Sequence, residues 1–306
     1  MRNINRIILM GSSQFAVPTL ELLLQKDFDL VAVYSQPPRT AKRGKKITPT
    51  PIQEMAEENN LRVITPLNFS TDDTIRQFES LKPDIAIVVS YGLILPKRLL
   101  AIPQYGFLNI HPSLLPRWRG AAPVQRTLMA GDTKSGVCII KVEEKLDAGP
   151  IYIRQEIDVE HGITASELSD QLARIGVHLL GRVLDDQEPR NPVSQKNEGV
   201  CYAPKIDKDE TRIDWHLPAK DIYNRIHGLS YQPGAWFEHQ GVRIKILKCE
   251  IAEQEGKPGQ VLDNDLALAC GKGSIRPTII QRQGKSPMTR LDFLRGYRLG
   301  LGEILK

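Results

Sequence analysis

In the first half of the chain, apolar positions come in short continuous runs that alternate with stretches of helical spacing. Residues 6–11 are an apolar run closed by a glycine, and residues 30–34 are another. Between them, residues 15–25 carry Phe15, Leu20, Leu23 and Leu24 at helical intervals. Residues 51–59 predict a helix, 61–64 a short strand, 72–81 a helix and 85–89 a buried strand. Strands that are apolar throughout are covered on both faces, so this rhythm predicts a mostly parallel sheet with helices on both sides. Residues 107–110, 137–142 and 151–159 are strand-like, the last with an alternating pattern, and 164–186 predict a long amphipathic helix.

The pattern then breaks. Residues 188–206 are rich in Pro, Asn and charge and show no periodicity, which predicts a linker. A helix at 219–228 follows, then short strand-like pieces at 235–239, 243–250, 259–262, 266–269 and 278–281. Five such pieces between turn residues suggest a small barrel or sandwich. A chain of 306 residues accommodates about two domains, here 1–187 and 207–306 around the 188–206 linker.

Composition narrows the class. Apolar runs such as residues 7–10, 30–34 and 85–89 are far short of the roughly 20 residues of a membrane helix. Arg2 and Arg6 precede an apolar stretch, but Gly11-Ser12-Ser13-Gln14 interrupts it too early for a secretory signal. Cys138, Cys201, Cys249 and Cys270 are scattered, with neither metal-ligand spacing nor a disulfide framework, which fits a reducing cytoplasm. No metal site is expected. Gly11-Ser12-Ser13-Gln14-Phe15 is not a GxGxxG loop, so no NAD or FAD is expected either.

Two segments are candidates for chemistry. Asn109 and His111 lie two residues apart at the end of a strand, so their side chains share a face. Strand carboxyl ends are where open α/β sheets bind ligands. A loop stiffened by Pro112, Pro116, Gly120 and Pro123 follows directly. Further on, Leu146-Asp147-Ala148-Gly149 closes another strand, and an aspartate there could hydrogen-bond an imidazole and stabilise its charged form. Singly, each of the three is most simply a cap or a turn former; together with the rigid loop they point to a site.

These segments, Asn109-Ile110-His111-Pro112-Ser113-Leu114-Leu115-Pro116-Arg117-Trp118-Arg119-Gly120 and the later Leu146-Asp147-Ala148-Gly149, resemble the 10-formyltetrahydrofolate-dependent formyltransferases. Within that group the resemblance is to the enzymes that formylate methionyl-tRNA. It runs essentially end to end, through Arg43-Gly44-Lys45-Lys46, Tyr91-Gly92-Leu93-Ile94-Leu95-Pro96, Tyr202-Ala203-Pro204-Lys205 and Arg212-Ile213-Asp214-Trp215. Gln14 departs from the family's usual acidic residue, and residues 229–235 match the family's aromatic-proline segment only in part.

The resemblance implies a Rossmann-like α/β catalytic domain and a smaller C-terminal, OB-like β-barrel that binds tRNA. It implies formyl transfer from 10-formyltetrahydrofolate to the α-amino group of initiator methionyl-tRNA, for translation initiation. Asn109 and His111 would donate to the developing oxyanion, and Asp147 would orient His111. Ser113, Leu114, Leu115 and Pro116 would hold the folate. Ser113 has no base beside it in the sequence pattern and is read as a binding residue, not a nucleophile. The chain would act as a cytoplasmic monomer without metal.

Charge supplies the second partner. Basic residues number 41 against 36 acidic, a mild +5. Arg39, Lys42, Arg43, Lys45 and Lys46, however, fall within eight positions with no acidic residue. Residues 266–306 hold eight basic residues against Asp292 and Glu303, or +6. By charge alone, the first cluster is as readily a solvated run as a nucleic-acid contact. The resemblance favours a loop that meets the tRNA acceptor stem, with Arg43 foremost. The two segments together carry +11, which leaves −6 for the remainder.

Overall fold

The computed structural model describes residues 4–41, 46–185 and 191–305. Its largest sheet has seven strands: β1 (Arg6–Gly11), β2 (Asp29–Tyr34), β3 (Val63–Ile64), β4 (Ile85–Val89), β5 (Phe107–His111), β6 (Lys134–Lys141) and β7 (Ile151–Asp158). Their order across the sheet is β7-β6-β5-β4-β1-β2-β3. Every pair from β5 to β3 is parallel, and β5 meets β6 antiparallel. The expected mostly parallel sheet is therefore present. The carboxyl ends of β1, β2, β4 and β5 lie along one edge.

The continuous apolar runs are explained by burial on both sides. Ile7, Ile8, Leu9 and Met10 of β1 are all fully buried. Ile8, Met10, Ala32, Tyr34, Ala86 and Phe107 pack with Phe69, Ile75 and Phe78, the last two from helix α3 (Asp72–Ser80). The opposite face meets helix α6 (Ala165–Leu184), where Gly176 lets the helix approach the sheet. A Cβ on Gly176 would lie 2.5 Å from the Ile110 side chain. Two helix starts are capped by threonine: Thr50 accepts from the Gln53 amide ahead of α2 (Pro51–Glu58), and Thr71 accepts from that of Thr74.

By packing, the chain forms two compact units. One comprises residues 1–121, 136–157 and 169–203; the other 122–135, 158–168 and 204–306. Two stretches of the expected first domain, 122–135 and 158–168, thus belong with the C-terminal part. The described part of the expected linker, 191–203, belongs to the first unit. There Tyr202–Ala203 pairs in parallel with Arg119–Gly120, and Val193 exchanges both backbone hydrogen bonds with Ile151. Its bonds lie at irregular intervals, which is why it has no period in sequence.

The second unit is built on an antiparallel sheet of β8 (Ala235–His239), β9 (Val242–Ala252), β10 (Leu268–Ala269), β11 (Ser274–Arg282) and β12 (Met288–Thr289). The order is β8-β9-β11-β10, with β12 on β11. Register shifts between Ile246 and Cys249 curl β9, and isolated bridges Gln260–Ile304 and Val261–Leu268 extend the sheet into a half-barrel. The piece expected as a strand at 259–262 forms only these bridges. Trp215, Ile226, Phe237, Ile246 and Phe293 lie in its core. Helix α5 (Pro123–Met129) places Arg126 against Glu210 in a two-pronged ion pair (2.6 and 2.8 Å). The Arg126 guanidinium holds the Glu210 carboxyl down at about 2.

All four cysteines are free. Burial pushes the Cys138 thiol up to about 11 and Cys270 to about 12, and drives Cys249 well above its ordinary value. Cys201 is half-exposed.

Candidate active site

The strand β5 ends at the carboxyl edge of the parallel sheet, the edge where open α/β sheets bind ligands, and its alternation puts Phe107, Asn109 and His111 on one face. Phe107 joins the apolar cluster on that face; Asn109 and His111 continue the row beyond it. His111 is 3% exposed and lies opposite Cys138 across the β5–β6 pair. Its Nε2 sits 2.9 Å from the Trp118 carbonyl oxygen. A carbonyl only accepts, so Nε2 carries a hydrogen. The other ring nitrogen, Nδ1, lies 3.7 Å from Asp147 Oδ2.

Asp147 is reached by two further groups. The Gly120 backbone N–H donates to Oδ2 at 2.9 Å, and Asn109 Nδ2 donates to Oδ1 at 3.3 Å. Asn109, His111 and Asp147 thus converge although 38 residues separate the first from the last. The backbone is bent to achieve this: Trp118 (φ +66°) and Asp147 (φ +48°) are both left-handed, a conformation that costs a non-glycine residue on the order of 1–2 kcal/mol. Gly149 lets the turn close, since a Cβ there would lie 1.8 Å from the Lys141 carbonyl oxygen.

The segment predicted to hold folate follows at once. Ser113 and Leu115 are buried, and Leu114 and Pro116 are half-buried. Ser113 donates its hydroxyl to the Arg117 carbonyl at 2.7 Å, so that proton is used inside the turn. Neighbouring strand ends add polar groups. Ser12 donates to the Tyr91 carbonyl and accepts from the Gln36 amide; the Gln36 side chain donates to the same carbonyl at 2.9 Å. Arg39, at the start of a hairpin strand Arg39–Ala41 paired with Lys46–Thr48, donates to Gln36 Oε1 at 2.6 Å. Lys42, Arg43 and Lys45 lie outside the described residues, and for Lys46 only the backbone is described.

Sequence reasoning missed two residues here. Arg119 is 5% exposed, and its Nε and Nη2 donate to Gln195 Oε1 at 3.1 and 2.7 Å. Gln195 Nε2 donates to the Asp147 and Gly149 carbonyls, each at 2.8 Å. Arg119 could have been singled out as an arginine beside the site glycine. Gln195 stands in an aperiodic segment and carries no signal of its own. The basic tail also reads differently: Arg276 pairs with Asp263 (2.6 Å) and Arg290 with Asp265 (2.9 Å), two carboxylates just upstream of the counted window. Among the described residues, no group of three or more His, Cys, Asp or Glu could hold a metal ion, and no helix is long and apolar enough to cross a membrane.

The chain is 48% identical over 299 residues to a methionyl-tRNA formyltransferase of Rhizorhabdus wittichii, covering 97% of each chain. The chain belongs to the methionyl-tRNA formyltransferase family. The formyl transferase family pattern matches residues 5–184, and the formyl transferase C-terminal domain pattern matches 205–298. Members of this family are formyltransferases that draw on formyl-tetrahydrofolate. Solved structures share the fold at lower identity. An N-formyltransferase of Helicobacter canadensis aligns over 90% of this chain and 98% of its own (TM-score 0.67, 19% identity). A HypX variant of Aquifex aeolicus aligns over 96% of this chain (TM-score 0.60, 20% identity); the chain spans about half the length of that larger protein.

Proposed function

We infer that this chain transfers the formyl group of 10-formyltetrahydrofolate to the α-amino group of initiator methionyl-tRNA, giving N-formylmethionyl-tRNA for translation initiation. The observation that carries this reading is the convergence of Asn109, His111 and Asp147 at one strand edge, in a chain that matches methionyl-tRNA formyltransferases almost from end to end.

The neutral methionyl amine attacks the formyl carbon. A C–N bond forms, and the carbonyl oxygen becomes an oxyanion. Donors aimed at that oxygen are the largest catalytic contribution in such reactions, worth on the order of 10²–10³ in rate each. Asn109 Nδ2 has two hydrogens; one goes to Asp147, which leaves the other for the oxyanion. The hydrogen on His111 Nε2 goes to the Trp118 carbonyl and Nδ1 lies beside Asp147, which leaves none for the oxyanion donation expected of His111; we assign it the proton instead, taken up and returned at Nδ1. The proton lost by the attacking nitrogen passes to N10 of the folate, the C–N10 bond breaks, and tetrahydrofolate departs. No covalent enzyme intermediate is formed. Residues 113–116 form the folate wall.

Arg39, Lys42, Arg43, Lys45 and Lys46 make the acceptor-stem contact, supported by their charge density. In the second unit the outward row of β8 and β9 adds a cationic, aromatic surface, with the Arg243 guanidinium 3.8 Å over the Trp236 ring and Lys245 opposite Trp236 in register. Such surfaces bind nucleic acid.

The test is a transfer assay with 10-formyltetrahydrofolate that compares charged methionyl-tRNA with free methionine, uncharged tRNA and UDP-linked amino sugars. Charged tRNA is expected as the acceptor. Formylation of a sugar in its place overturns the reading.

A further inference from the structure

We propose that Gln195 is a positioning residue for formyl transfer: its amide sets the turn that carries Asp147, and Arg119 in turn sets the amide. The proposal rests on the reading of Asp147 as a group of the reacting centre.

Apart from Gln195, the backbone of the turn is held by the Ala148 N–H on the Lys145 carbonyl (3.2 Å) and by the Lys141 N–H on the Pro150 carbonyl (3.0 Å), and neither engages the carbonyl of Asp147 or of Gly149. Residues 143–146 are exposed, so burial does not fix their path, and Asp147 sits at a positive φ that relaxes once released. Gln195 restrains the turn at two backbone points, through the carbonyls of Asp147 and Gly149. Both partners there only accept, and both partners on Oε1 only donate, so the amide orientation is unambiguous. Its two hydrogens and both lone pairs are used. The chain of bonds is also closed. Arg119 grips Gln195, Gln195 grips the Asp147 backbone, and the Asp147 carboxylate accepts from Gly120, the residue after Arg119. A shift of the amide therefore moves the carboxylate relative to both His111 and Gly120.

Gln195→Glu keeps the acceptor for Arg119 but has no hydrogen for the two carbonyls, and it faces them with negative charge. Gln195→Met keeps the volume and removes every hydrogen bond. Both variants are to be made in the native chain and in the Asp147→Asn chain. Activity is scored per folded molecule by near-UV circular dichroism, with separate kcat and KM for tRNA and folate. In the native chain we expect kcat to fall on the order of 10- to 100-fold, as for other groups that orient a reacting residue, with KM for the folate little changed. In the Asp147→Asn chain we expect almost no further loss, because the two residues act through one group. Native kcat in both Gln195 variants, or an equal loss repeated on top of Asp147→Asn, overturns the proposal. Native turnover in Asp147→Asn alone overturns instead the role given to Asp147.

Discussion

At the scale of single residues, the site offers a sharp contrast between two strand neighbours. On the proposed mechanism Asn109→Ala deletes an oxyanion donor and leaves Asp147 its Gly120 contact, so kcat is expected to drop on the order of 10²–10³-fold with the fold intact. His111→Ala removes the proposed proton acceptor together with the Trp118 contact, and is expected to lose as much or more. Single-turnover formylation with saturating substrates checks both; near-native rates in either variant would remove that residue from the chemistry. A different residue-scale prediction concerns Glu210. Its carboxyl titrates at about 2 in the folded chain against an ordinary value near 4.5. The Arg126 pair thus contributes stability that is complete above the ordinary value and vanishes as pH falls through about 2. Thermal melts between those limits should show a smaller decline in Glu210→Gln than in the native chain.

At the scale of elements, the decisive fit is that of α6 on β5, the strand bearing Asn109 and His111. Gly176 stands where any side chain meets Ile110, so Gly176→Val forces the helix off the strand. The expected cost is about 1–3 kcal/mol, read as a lowered denaturation midpoint, with kcat falling as the β5 end shifts. A midpoint equal to the native one would show that the contact relaxes freely. Elements with a strong period were legible in the sequence: Ile85–Val89 and Ala235–His239 fall at the predicted positions, and the ends of α2, α3 and α7 (Ala219–Leu229) differ by one residue. The Asn109–His111 pair was legible because alternation on a strand fixes which side chains share a face. The return of residues 191–203 to the first unit was not legible, because scattered hydrogen bonds to Arg119, Asp147 and Ile151 leave no repeating apolar mark. The short helix Lys97–Leu100 and α8 (Arg290–Gly296) were missed for lack of length.

At the scale of the whole molecule, charge is the guide. A mild net +5 conceals the cluster at Arg39, Lys42, Arg43, Lys45 and Lys46, while two tail arginines are already held by Asp263 and Asp265. Phosphate contacts release counterions, so added salt should raise KM for methionyl-tRNA steeply and leave KM for the folate nearly level. Arg43→Ala should flatten that salt dependence and lower kcat/KM for the tRNA, with folate binding unchanged; equal slopes for variant and native chains would argue against the loop contact. The cysteines carry one more consequence. Three thiols are buried and resist ionisation, whereas Cys201 is half-exposed, and its carbonyl accepts the Arg119 amide at 2.9 Å. A maleimide dye at neutral pH should therefore attach to the native chain at a single place. That place lies just before the short strand Tyr202–Ala203 beside the site, where the emission of the dye is expected to report folate arrival without any engineered handle.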